Sequence, residues 1–191
     1  MSDYEVLDYI PVIGDIYRYG KLGYNIGSWI ANNGCDYNNR VLNEMLDNIN
    51  QAANSDNAIE AIDYINEAVR KIQQFDTENC KKYQVSLFLY LAAKIFHVLA
   101  ICECIIYKDD LKRLKQTSST FLEAKKYCRK VWNVDKTLLT EKRSIIDQLR
   151  LMSDGEKAEI TKSKRKYRKQ YRHLYKETYP IKWYMGMWIF S

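Results

Sequence analysis

A chain of 191 residues with 47% hydrophobic and 28% charged residues is long enough to bury one core and too apolar to be disordered throughout. Its 7 glycines and 2 prolines supply too few turn formers for an all-β fold, so the expected class is all-α, a bundle of five to six helices. The net charge of +6 is unevenly spread: residues 1–110 hold 9 Lys and Arg against 16 Asp and Glu, and residues 111–191 hold 21 against 8. Such asymmetry calls either for an anionic partner of the second half or for the two halves facing each other.

The opening MSDYEVLDYI is acidic and lacks the basic-then-apolar order of a signal peptide. The five cysteines (Cys35, Cys80, Cys102, Cys104 and Cys128) are odd in number and have no scaffold spacing. Both features favour a reducing, cytoplasmic setting, with membrane attachment, if any, peripheral.

Residues 9–31 predict a first helix, with Pro11 suited to its first turn and Gly14, Gly20, Gly23 and Gly27 along it. Gly23 and Gly27 stand one turn apart, where a second backbone could approach closely. Pro11-Val12-Ile13-Gly14-Asp15 resembles short segments found ahead of toxin modules in some polymorphic bacterial toxins; the likeness covers five residues, and no function is carried over from it. Asn32-Asn33-Gly34 reads as a turn. A helix over 37–53 follows, with Val41, Leu42, Met45, Leu46 and Ile49 on one face. Ser55-Asp56-Asn57 offers caps, Asn57 and Glu60 having capping-box spacing for a helix over 58–75. Its stripe is Ile59, Ile62, Ile65, Val69 and Ile72, and the two helices form a hairpin.

Asp76-Thr77-Glu78-Asn79 reads as the cap of a central helix over about 80–115. Within it, residues 85–106 (VSLFLYLAAKIFHVLAICECII) form the most apolar stretch of the chain. Gln116-Thr117-Ser118-Ser119 reads as a linker, and Thr120 with Glu123 as the capping box of the next helix, kinked near 133–137. Ser153-Asp154-Gly155-Glu156 then ends one helix and opens a basic one over about 155–178. Pro180 stops that helix, and the chain finishes IKWYMGMWIFS. The division expected is a helical bundle domain over 1–152 and a basic arm with a hydrophobic tail over 153–191, docked on the bundle or free of it.

The 85–106 stretch has the length of a membrane span, but Lys94 near its middle costs about 2.5–3.5 kcal/mol there, and His97 and Glu103 add to that. The amphipathic helices around it can cover it in water, so a buried central helix is expected. Lys94 and His97 share a face, which leaves two options: an ion site inside the bundle, or a lysine with a buried stem, its ammonium at the rim or paired with an acid of residues 36–67. Glu103 points the other way. Cys102 and Cys104 project from different faces, which makes a poor metal site, and neither a metal nor a cofactor is expected. His97 and His173 have no nucleophile or carboxylate at a motif spacing, and no phosphate-binding glycine loop is present, so the expectation leans away from an enzyme.

The C-terminal arm is the most informative functional feature. Ile160, Tyr167, Tyr171 and Leu174 share one stripe, while Lys162, Lys164, Arg165, Lys166, Arg168, Lys169, Arg172 and Lys176 surround the rest. Three roles compete for it. The tyrosine face could dock on the bundle and leave the charges solvated. The basic helix could lie on anionic lipid with Trp183, Tyr184, Met187, Trp188, Ile189 and Phe190 at the membrane interface. Or the cations could neutralise phosphates of single-stranded nucleic acid while tyrosines stack on bases. The expected function is a non-enzymatic binding or assembly protein whose residues 160–190 contact an anionic surface, a membrane first and nucleic acid second. A helical protein partner remains open, and a pore-forming or toxin-like protein is a third class.

Overall fold

The computed structural model describes residues 37–134 and 143–180, all its regular elements being helices: α1 (Tyr37–Ala53), α2 (Ala58–Gln74), α3 (Lys82–Ile106), α4 (Leu111–Trp132) and α5 (Arg143–Thr178). The expected first helix over 9–31, with its four glycines, and the aromatic tail from 181 onward lie outside the described residues.

Among the described residues the fold is a bundle of five helices around α3, which packs against each of the other four. The hairpin α1/α2 covers one face of α3 and the pair α4/α5 covers another. Leu87, Leu91, Ile95, Val98 and Cys102 of α3 meet the first hairpin's Leu42, Met45, Ile49 and Ile65. Toward α4 and α5, α3 presents the small residues Ala93, Ala100 and Cys104, against Phe121, Ala124, Cys128, Ile160 and Tyr167. Helix α3 is the one described helix long and apolar enough to cross a membrane, and 83% of its most apolar window is buried among its neighbours.

The α1 stripe is as expected, with Val41, Leu42, Met45, Leu46 and Ile49 all buried. Asn57 caps α2 by accepting from the N–H groups of Ile59 and Glu60, each at 3.0 Å. The buried stripe of α2, however, runs through Ala58, Ala61, Ile65 and Ala68, and Ile59 is 69% exposed. Alanines allow the closer approach of α1, and Ile62, Val69 and Ile72 pack partly buried beside that contact.

Three boundaries differ from expectation. Helix α3 ends at Ile106, because Asp110 caps a new helix by accepting from the Arg113 N–H at 3.0 Å. The expected linker 116–119 therefore lies inside α4, where Thr117 is buried. Asp76 does not cap α3: its carboxylate accepts from the N–H groups of Glu78 and Asn79 in the loop before it. And α5 runs unbroken through Ser153–Glu156, so the expected division at 152/153 falls inside one helix of 36 residues.

Candidate anionic-surface interface

Helix α5 lies antiparallel to α4 and is keyed to the bundle largely by polar side chains on its inner stripe. The Arg150 guanidinium donates to the carbonyls of Val134 (2.7 Å) and Trp132 (3.4 Å), neutralising the carbonyl end of α4. Ser153 donates to the Cys128 carbonyl at 2.9 Å, and Gln170 to the Cys104 carbonyl at 2.8 Å. Between these lies Glu156, only 2% exposed, with one carboxylate oxygen 3.1 Å from the Lys94 ammonium and the other 2.6 Å from His97 Nδ1. An ionised carboxylate can only accept, so Nδ1 carries a proton and donates to it, while Nε2 lies 2.9 Å from the Ser163 hydroxyl. Burial by itself would raise the Glu156 carboxyl, but the Lys94 charge and the His97 hydrogen bond outweigh it and hold it at about 2. The acid facing Lys94 thus comes from α5, not from residues 36–67. The separate site of Glu103 is half-buried against α4, where Thr120 donates to it at 2.8 Å and burial pushes its carboxyl up.

The order Glu156–His97–Ser163 is that of an acid–base–nucleophile relay. Ser163 is only 4% exposed, however, and sits in the interior of α5, where the backbone N–H groups are committed to the helix. Among the described residues the set therefore has neither an open approach to Ser163 nor oxyanion donors, and Lys94 holds the carboxylate's second oxygen. Its role as built is to register α5 on α3. Burial pushes the thiols of Cys102 and Cys128 up to about 12 and about 11 and that of Cys104 still further, which leaves them protonated and unreactive. Among the described residues no group of three or more His, Cys, Asp or Glu could hold a metal ion.

Beyond Ser163 the contact becomes aromatic. Phe121 of α4 meets Tyr167 (ring centres 5.7 Å apart), and Tyr167, Tyr171, Tyr175 and Tyr179 follow at one-turn steps with centres 5.3 to 6.2 Å apart. Exposure rises along the ladder, from 5% at Tyr167 to 42% at Tyr179. Opposite this stripe, Lys162, Arg165, Lys169, Arg172 and Lys176 are all exposed; Arg168 is exposed on the edge toward α4, and Lys164 and Lys166 are half-buried. The five cations of the outer face recur at three- and four-residue steps over about 20 Å of helix.

The basic pair of helices does not face the acidic hairpin. Residues 37–80 hold 3 Lys and Arg against 8 Asp and Glu, whereas 111–132 with 143–178 hold 18 against 6, and α3 lies between the two layers. The expected membrane-interface residues Trp183, Tyr184, Met187, Trp188, Ile189 and Phe190 lie outside the described residues. No protein-family model, curated protein or solved structure matches the chain.

Proposed function

We propose that this is a non-enzymatic binding or assembly protein that attaches to an anionic membrane surface through the basic side formed by α4 and α5. The observation that carries this reading is the stripe of exposed cations on α5, directly opposite the stripe that holds the helix to the bundle. Docking leaves Arg165, Lys169, Arg172 and Lys176 exposed, with Lys162 3.7 Å from the Glu159 carboxylate, and the acidic hairpin lies on the far side of α3. The tail WYMGMWIF follows the end of this helix within a few residues, and a polybasic segment beside such residues is the composition of an interfacial anchor. Single-stranded nucleic acid competes for the same cations, but Tyr167 and Tyr171, its expected stacking platforms, are engaged with Phe121 and with each other.

Co-sedimentation with phosphatidylcholine vesicles, with and without phosphatidylserine, tests the reading. Binding is expected only with phosphatidylserine and weakens with added salt. Replacing Arg165 and Arg172 by Gln removes about 1 kcal/mol each, about thirtyfold in affinity together. Equal binding to neutral and anionic vesicles would falsify the proposal.

A further inference from the structure

The cations of α4 and α5 are not evenly spread, and one group of them crosses the seam between the two helices. Lys125 of α4 reaches across so that its ammonium lies 3.5 Å from the Thr161 hydroxyl of α5. Lys164 and Arg168 follow Thr161 by three and seven residues, on the same edge of α5. The seam is held rigid around them by Ser153 on the Cys128 carbonyl, by Trp132 Nε1 on Asp154 (3.0 Å) and by the Phe121–Tyr167 contact. Among the described residues no carboxylate pairs with Lys125, Lys164 or Arg168, although Lys126 and Lys162 nearby are paired with Glu123 and Glu159. Lys125 and Lys164 are half-buried, and the Lys164 ammonium is disfavoured first by burial and then by the charges of Arg168 and Lys125. Three cations from two helices thus line one seam, with no carboxylate among the described residues paired to them.

We propose that Lys125, Lys164 and Arg168 form a binding site for a phosphomonoester. Three cationic donors converging from two helices suit a group with three terminal oxygens and a charge between −1.5 and −2. A phosphodiester, with two free oxygens and one charge, leaves a donor unused. The inference rests on the membrane-attachment reading for the lipid source of that group, and the same chemistry could arrive on a soluble metabolite.

The test uses the full chain and its variants Lys164→Gln and Arg168→Gln, with Lys176→Gln as a control that removes the same charge from the outer stripe. Phosphatidylcholine vesicles carrying phosphatidic acid are compared with vesicles carrying phosphatidylserine at matched surface charge, and thermal unfolding is followed with and without inorganic phosphate. A charge-assisted hydrogen bond predicts about tenfold or more tighter binding to phosphatidic acid, lost in the first two variants and kept in the control. Stabilisation by inorganic phosphate without any preference between the vesicles assigns the site to a soluble phosphomonoester. If neither response occurs, or both survive in Lys164→Gln and Arg168→Gln, the site is overturned. Binding to phosphatidylserine that persists without preference then leaves the membrane reading standing and removes only this inference.

Discussion

Glu156 keeps a full negative charge in a place that disfavours one, and it does so because Lys94 and His97 occupy both of its oxygens. Replacing it by Gln leaves the Lys94 ammonium buried without a counter-charge, and the expected loss in denaturant unfolding is about 3–5 kcal/mol. Replacing the pair together, Lys94→Met with Glu156→Leu, is expected to recover most of that loss, because the desolvation cost leaves with the charges. The pH response has a definite sign. The folded Glu156 titrates at about 2, below its ordinary 4.5, so its contribution is complete above that ordinary value and is lost as pH falls from about 4.5 toward 2. Glu103 acts in the opposite sense: burial raises it, so its neutral form is favoured and its contribution declines as pH rises through its folded value. Glu103→Gln is therefore expected to melt above the wild type at pH 7 and to converge with it in acid. Lys94, His97 and Glu103 were legible in the sequence as exceptions within an apolar run. Their partner was not, because Ser153-x-x-Glu156 also fits a local capping box, and sequence spacing does not distinguish a cap from two inward-facing positions on one helix.

The same ambiguity accounts for most of the displaced boundaries at the level of elements. Thr120-x-x-Glu123 and Ser153-x-x-Glu156 both look like helix starts, yet in both the hydroxyl is used across the bundle, Thr120 on Glu103 and Ser153 on the Cys128 carbonyl. Asp110, which does begin a helix, was hidden by helix-forming residues on either side of it. One substitution separates the continuous α5 from a broken one. Gly155 is exposed in the helix interior, so Gly155→Ala should stabilise the protein by about 0.5–1 kcal/mol in thermal or denaturant unfolding. A glycine at a helix terminus with positive φ would give the reverse sign.

For the whole molecule, the scarcity of glycine and proline made the helical class legible, and the apolarity of 85–106 marked the hub. The seat of the basic arm was not legible, because one amphipathic pattern serves equally for docking on a bundle and for lying on a surface. Its position on α4, away from the acidic hairpin, gives the described residues one basic and one acidic side separated by α3. Two helix–helix spacings put about 16–20 Å between these layers, more than the Debye length of about 8 Å at physiological salt. Neutralising the exposed acids Asp47 and Asp63 with Asn is therefore expected to leave vesicle affinity unchanged at about 0.15 M salt and to raise it at low ionic strength. A gain at physiological salt would mean that the acidic side also approaches the surface.

The length of α5 has a mechanical consequence. Its 36 residues extend about 54 Å, and its fastenings to α3 and α4 are strung along that length. A load applied beyond Tyr179 and directed away from the bundle meets them in turn: the tyrosine ladder, then Gln170, then Ser163 and finally the Glu156 charge pair. Peeling therefore begins at the solvated end at low force and stiffens as it reaches the buried carboxylate. A load along the helix axis strains all the fastenings at once. A tether at the carboxyl end would thus be compliant over its last turns and firm at its root.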